Sequence, residues 1–451
     1  MRVILDNPKI IGKITNAITE NDGVVVALDV IDSQAELTTV DVTCNAIDDS
    51  HAERLRSIVE NVEGAKVRAV SDRTMLVHLG GTISVVPKIP LKTRDDLSMA
   101  YTPGVARISQ AIAKDPTAAR NLTIKRNTVA IVTDGSAVLG LGNLGAAAAL
   151  PVMEGKAALF KRFGDVDAWP VCLDTQDVDE IVRTVEIIAP SYGGINLEDI
   201  AAPRCFEVER RLRASLDIPV FHDDQHGTSI VVLAGLINAC RVVKKNIENL
   251  RVVILGIGAA GTAIAKLLIA EGVGDIIAVD RQGILTPDMP DLDEDRTWIA
   301  RNTNKEGLHG DLTAAVTGAD ALIGVSGRGL VTEEHLKAMA PDSIVFALAN
   351  PDPEVPSDIA RQYATVVATG RSDEPNQINN VLVFPGLFRG LLSTGTKQIT
   401  EKMELAAAHA LANVVHQDEL SVAYIIPNVF NPEVVSAVSN AVIESATQGG
   451  S

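Results

Sequence analysis

The hydrophobic and polar positions of this chain change period several times. RVIL near the start reads as a short strand. Residues 8–20 carry Ile10, Ile14, Ala17 and Ile18 at helical spacing, with Gly23 as the stop. VVVALDV and ELTTVDVTC read as strands around a polar turn at Asp32, Ser33 and Gln34. Ser50 is placed to cap a second helix bearing Leu55, Ile58, Val59 and Val62, and KVRAVSD follows as a strand. The order is βαββαβ, a small α+β unit. Residues 87–94 read as a linker. NTVAIVTD and WPVCLD are strands of a second region that runs to about Val243. From Leu250 the apolar runs RVVILG, DIIAVD, DALIGV, SIVFALAN and TVVATG alternate with helical segments. That alternation predicts an α/β region with a parallel sheet wound on both faces. Beyond Thr396 an Ala-rich amphipathic helix, MELAAAHALANVV, is expected to pack back on the rest.

Composition narrows the class. Of 451 residues 46% are hydrophobic but only 3% aromatic, which suits α/β layers better than an aromatic-rich sandwich. The net charge is -18 with no basic block, so nucleic acid and anionic membranes are not expected partners. No apolar run of about 18 residues is read as a membrane span, and MRVILDNPK lacks signal-peptide features. A cytoplasmic location is expected. Cys44, Cys172, Cys205 and Cys240 are far apart and form no CxxC pair, so they read as buried free thiols.

Two glycine fingerprints compete for a dinucleotide. In GIGAAG (Gly256, Gly258, Gly261) a strand runs directly into the first glycine, a proline-free helix follows, and the next strand ends in Asp280. The glycines let a pyrophosphate approach the helix N-terminus, and Asp280 is placed for the adenosine ribose. GLGNLG (Gly140, Gly142, Gly145) is separated from its strand, and Pro151 is expected to interrupt its helix. It reads as a tight turn lining the active site. A carboxylate at Asp280 repels a 2'-phosphate and so favours NAD over NADP, although the adjacent Arg281 offsets part of this.

Two acidic pairs stand out. Glu198 and Asp199 follow a Gly-Gly turn, where neighbouring side chains on an irregular loop or helix start can converge on one ion. Asp223 and Asp224 lie between strand-like IPVF and helix-like TSIVVLAGL. Several carboxylate oxygens suit Mg²⁺ or Mn²⁺ rather than zinc, although His222 and His226 stand nearby. Read alone, each pair is more readily a cap or a solvated turn than a metal site.

YTPGVA, VTDGSAVLGLGNLG, PVMEGKAALF, GGINLEDI, FHDDQHGT, LGIGAAG, FALANPDPEV and NQINNVLVFPG, spread over about residues 85–395, together resemble the bacterial malic enzymes. The βαββαβ unit with DNPKIIGKI resembles an ACT domain, a module that binds small effectors, although Lys9 stands where that family often has Gly. The resemblance implies four regions. These are an ACT-like regulatory domain at 1–82, a substrate and metal domain at 86–245, a Rossmann-type NAD domain at 246–395, and C-terminal helices at 396–451. It implies oxidative decarboxylation of L-malate to pyruvate and CO2, with NAD (or NADP) and Mg²⁺ or Mn²⁺, in a homodimer or higher homo-oligomer. On the matching positions Lys156 is the general base, Tyr101 the general acid and Asp223 a supporting carboxylate. Glu198, Asp199 and Asp224 are metal ligands. Asn350 and Asn380 lie near malate, and Asn350 also near the nicotinamide. Without the resemblance Lys156 would read as a solvated helix lysine. One departure is that Ser136 and Ala137 stand where longer relatives carry an arginine for a malate carboxylate. A base in this position needs a lowered pKa, which burial beside a cation is expected to provide.

Overall fold

The structure, a computed structural model, describes residues 1–34 and 37–448. The chain divides into two compact units, Met1–Thr82 and Ile83–Ser451.

In the first unit, strands β1 (Arg2–Leu5), β2 (Val24–Ser33), β3 (Thr38–Asn45) and β4 (Ala65–Ala69) form a sheet of order β2-β3-β1-β4 with every pair antiparallel. The helices Ile11–Thr19 and Asp49–Glu60 bury Ile14, Ile18, Leu55 and Val59 against Val3, Leu5, Val40 and Val42. The second helix is capped by Asp48, not Ser50. The Asp48 carboxylate accepts from His51 N at 2.7 Å and also from the Ser50 hydroxyl. A residue N-terminal to the first turn reaches its free N–H groups, and Ser50 already lies inside the helix. β2 runs through Asp32 and Ser33, which pair with Thr39 and Thr38, so the reversal comes later than the polar residues suggest. Ala35 and Glu36 of that turn lie outside the described residues.

The second unit contains two parallel sheets. β5 (Thr128–Thr133), β6 (Asp167–Cys172), β7 (Gly194–Leu197) and β8 (Val220–His222) run in the order β6-β5-β7-β8. β9 (Arg251–Leu255), β10 (Asp275–Asp280), β11 (Gly283–Ile284), β12 (Ala321–Gly324), β13 (Ile344–Ala347) and β14 (Val366–Thr369) run in the order β11-β10-β9-β12-β13-β14. Only β11 is antiparallel to its neighbour. Strand β7 had read as a turn and loop. The five apolar runs after Leu250 all form strands, because their β-branched residues are covered on both faces.

One sequence expectation fails here. The helix Ala146–Gly164 continues through Pro151. The proline sits in the second turn, so only the bond to the carbonyl of Ala147 is lost. In addition, Asp223–Val243 is long and apolar enough to cross a membrane by length and composition, yet most of it is buried within the protein. Asp, Gln and His open the segment ahead of its apolar residues. Its helix, Thr228–Val243, is a core helix, with Asn238 donating to the carbonyls of Ala412 and Ile425 at 2.8 and 2.9 Å. The tail thus packs on the core through Glu401–Asn413 and through a second helix, Glu433–Gln448, that the sequence reading did not resolve.

Candidate active site

Parallel strands deliver their carboxyl ends to one edge of a sheet, where ligands of α/β folds collect. Glu198 and Asp199 follow β7 directly, and Asp223 and Asp224 follow β8. Asp199 has a left-handed backbone (φ 52°), and its carbonyl accepts from Ala137 N at 3.0 Å. Its own N–H donates to Asp224 Oδ2 at 2.8 Å. Asp223 opens a widened π turn, Asp223–Gly227, that leads into the core helix. Gly227 is required there, since a Cβ would lie 1.9 Å from Asp223 Oδ1. A ligand oxygen from each of Glu198, Asp199 and Asp224 lies within 4.8 Å of the others.

Lys156 enters from the middle of Ala146–Gly164. Its ammonium donates to Glu198 Oε1 at 2.5 Å and to Asp223 Oδ2, and it lies 4.6 Å from the centre of the Phe384 ring. It is 7% exposed, not solvated. Glu198 also accepts from Asn196 Nδ2 at 2.9 Å.

Burial pushes Glu198 and Asp223 up to about 7, against the pull of Lys156. Burial, reinforced by Asp224 and Glu198, pushes Asp199 up to about 8, and Asp224 is raised too. For Lys156 burial acts downward, as expected. Asp223, Glu198 and Asp224 outweigh it and hold the ammonium above its usual range. Burial alone therefore does not depress this lysine, because the neighbouring carboxylates stabilise its charged form.

Four carboxylates thus face one ammonium. Asp199 Oδ2 and Asp223 Oδ1 are buried without a hydrogen-bond partner. An all-oxygen donor set with uncompensated negative charge fits Mg²⁺ or Mn²⁺. His222 does not join it: its Nε2 is 3.7 Å from Asp224 Oδ2, its Nδ1 faces Gln225, and burial brings it down to about 4.

In the second glycine fingerprint, Gly256 has φ +103°, and a Cβ on Gly261 would lie 1.8 Å from the Gly256 carbonyl oxygen. Gly258 opens the helix Ala259–Glu271. Asp280 ends β10 beside this turn, accepts from Gln282 N at 2.9 Å and lies 3.4 Å from Arg296 Nη2. The first fingerprint is a tight turn, as expected. Gly140 packs on the carbonyl of Asn350, where a Cβ would lie 2.6 Å away. Asn380 packs beside Gly227, its Cβ 3.3 Å from the position a Cβ would take there. Tyr101 is not brought into the cluster, and its side chain is 66% exposed.

Residues 80–213 match the family model "Malic enzyme, N-terminal domain" and residues 225–447 match "Malic enzyme, NAD binding domain". The NAD-dependent malic enzyme of Geobacillus stearothermophilus is 55% identical over 439 residues, 97% of this chain and 91% of the relative. The chain belongs to the malic enzyme family. The bifunctional malic/malolactic enzyme of Bacillus subtilis is 49% identical, over 82% of this chain and 91% of its own. The crystal structure of the NAD-dependent malic enzyme of Thermotoga maritima superposes with a TM-score of 0.80 at 47% identity, covering 83% of this chain and 99% of that one.

The malic enzyme fold here also gathers groups that the sequence reading did not single out. Asp134, after β5, is buried. It accepts from Ser136 N and Oγ and pairs with Arg204 at 3.1 Å. Behind the π turn, His226 lies between Glu209 and Glu404 at 2.8 and 3.0 Å. Burial opposes charge on both His226 and Glu209. Their attraction prevails, with Glu404 also acting on His226, so the histidine rises to about 10 and Glu209 falls to about 2. Only His226 stood out in the sequence, beside the acidic pair it follows.

Proposed function

We propose that this chain oxidises L-malate and decarboxylates the product to pyruvate and CO2, with NAD as hydride acceptor and a requirement for Mg²⁺ or Mn²⁺. The observation that carries this is a lysine buried against carboxylates that still have ligand oxygens free. Glu198, Asp199 and Asp224 would hold the metal, which when bound supplies Lewis acidity toward the substrate hydroxyl and carbonyl oxygens. Gly256, Gly258, Gly261 and Asp280 would hold NAD, and Asn350 and Asn380 would orient malate and the nicotinamide.

Lys156 takes the malate hydroxyl proton. Glu198 and Asp224, once engaged as ligands, hold the ammonium less, so burial is left to depress the lysine toward a base. Asp223 keeps its Nζ aimed at the substrate. Tyr101 returns a proton to the enol carbon after CO2 has left. Asp280 favours NAD, and Arg296 beside it leaves NADP as a poorer alternative.

The domain division at 1–82, 86–245, 246–395 and 396–451 belongs to the same reading, as do a cytoplasmic location and a homodimer. So does a small-molecule effector at the ACT-like βαββαβ unit.

The test is an assay of purified protein with malate, either nicotinamide and either metal, with and without chelator. Malate-dependent NADH and pyruvate are expected, lost on chelation and restored by Mn²⁺. Lys156→Ala should lower turnover by at least about 100-fold while NAD still binds. Absence of both products under all combinations would sink the reading.

A further inference from the structure

The π turn Asp223–Gly227 has two sides. One side carries Asp223 and Asp224 into the carboxylate cluster. The other carries Gln225 and His226 into a second, separate set of charges. His226 Nε2 meets Glu209 Oε1 at 2.8 Å and Nδ1 meets Glu404 Oε1 at 3.0 Å. Gln225 Nε2 donates to Glu209 Oε2 at 3.2 Å, and Arg213 Nη1 lies 3.3 Å from Glu209 Oε1. Glu209 and Glu404 are both buried. They come from helices nearly 200 residues apart in sequence, Arg204–Ser215 and Glu401–Asn413.

Buried charges cost desolvation, and an apolar contact would join these helices as well. What an apolar contact would not provide is a fixed orientation for a turn whose backbone is not a regular helix. An imidazole with a carboxylate oxygen 2.8 Å from one nitrogen and 3.0 Å from the other is restrained between the two helices by charge. Its backbone is two residues from Asp224 and adjoins Gly227, against which Asp223 Oδ1 packs.

We propose that His226, bridged between Glu209 and Glu404, is a positioning residue that sets the Asp223–Asp224 pair, so that the C-terminal helix Glu401–Asn413 governs divalent-cation affinity. This rests on the reading of Glu198, Asp199 and Asp224 as the metal site. Groups that orient metal-binding side chains typically change affinity by about 10–100-fold when removed.

The test uses the full chain and Mn²⁺, with free Mn²⁺ followed by electron paramagnetic resonance, so that binding is read without turnover. Glu404→Ala should weaken Mn²⁺ binding by about 10-fold or more. NAD affinity should stay within about twofold, and kcat at saturating Mn²⁺ should fall less than Mn²⁺ affinity does. Glu404→Gln, which keeps the shape and an acceptor for His226, should recover part of the loss and covers the case in which the alanine variant does not fold. A folded Glu404→Ala protein that binds Mn²⁺ as the parent does overturns the proposal, as does parental binding by Glu404→Gln where only that variant folds, and so does a parallel loss of NAD affinity. Asp224→Asn is the control for the underlying reading. If that variant keeps full Mn²⁺ affinity, the metal assignment fails instead.

Discussion

Lys156 faces more negative charge than it can neutralise, and this decides how the site responds to pH. Asp199 is held at about 8 and Glu198 and Asp223 at about 7, well above ordinary carboxylates. The folded protein therefore keeps protons that the unfolded chain has released across about pH 4 to pH 8, and these groups cost stability increasingly as pH rises through that window. A divalent cation binds the ionised carboxylates and so offsets a cost that is largest at the alkaline end. Thermal melts of chelator-treated protein with and without Mn²⁺ should show a small gain near about pH 5.5 and a larger one near about pH 8. Equal gains at both would contradict this account. The four acidic residues were legible because each pair is adjacent in sequence. Glu209 and Glu404 were not, since only the folded chain brings them to the turn behind the lysine.

At the scale of elements, burial on both faces gave the clearest signal, and local exceptions were the least visible. The strands after Leu250 were readable from their apolar runs. β7 was missed because Gly194–Leu197 is only four residues long and starts on the second glycine of the Gly-Gly pair, yet this strand aims Glu198 and Asp199. The helix through Pro151 was missed because one lost bond near a helix start is cheap beside the packing of Met153, Ala157 and Phe160. The core helix Thr228–Val243 shows the reverse, an apolar segment with a buried polar anchor in its middle. Asn238 satisfies two buried carbonyls, Ala412 O and Ile425 O, which tie the tail to the core. Asn238→Leu keeps a similar volume and leaves both acceptors bare, so it should cost about 2–4 kcal/mol, read as a lowered denaturant midpoint at unchanged slope. A loss below about 0.5 kcal/mol would show that the carbonyls find other donors.

At the scale of the whole molecule, one part of the second unit lacks a core of its own. The helices Arg94–Ala100 and Val105–Lys114 and the turns that follow to Asn127 contain no buried residue. Leu97, Met99, Tyr101 and Ile108 are exposed on them. A second uncovered set, Leu139, Leu141, Leu144 and Leu150, lies on the loop and first turn leading to Lys156. Exposed apolar stretches of this kind mark association surfaces, and a twofold copy would cover both kinds at once. Tyr101, a proposed proton donor that faces outward on this surface, is then expected to serve the Lys156 of the other copy. Complementation tests this. Tyr101→Phe and Lys156→Ala, each inactive alone, should regain activity when co-expressed with different tags and purified as mixed dimers. A mixed dimer holds one complete site of two, and random pairing makes about half the dimers mixed, so about a quarter of the parental activity is expected before the tags are used. If each subunit supplies its own tyrosine, no mixed dimer contains a complete site and no activity returns.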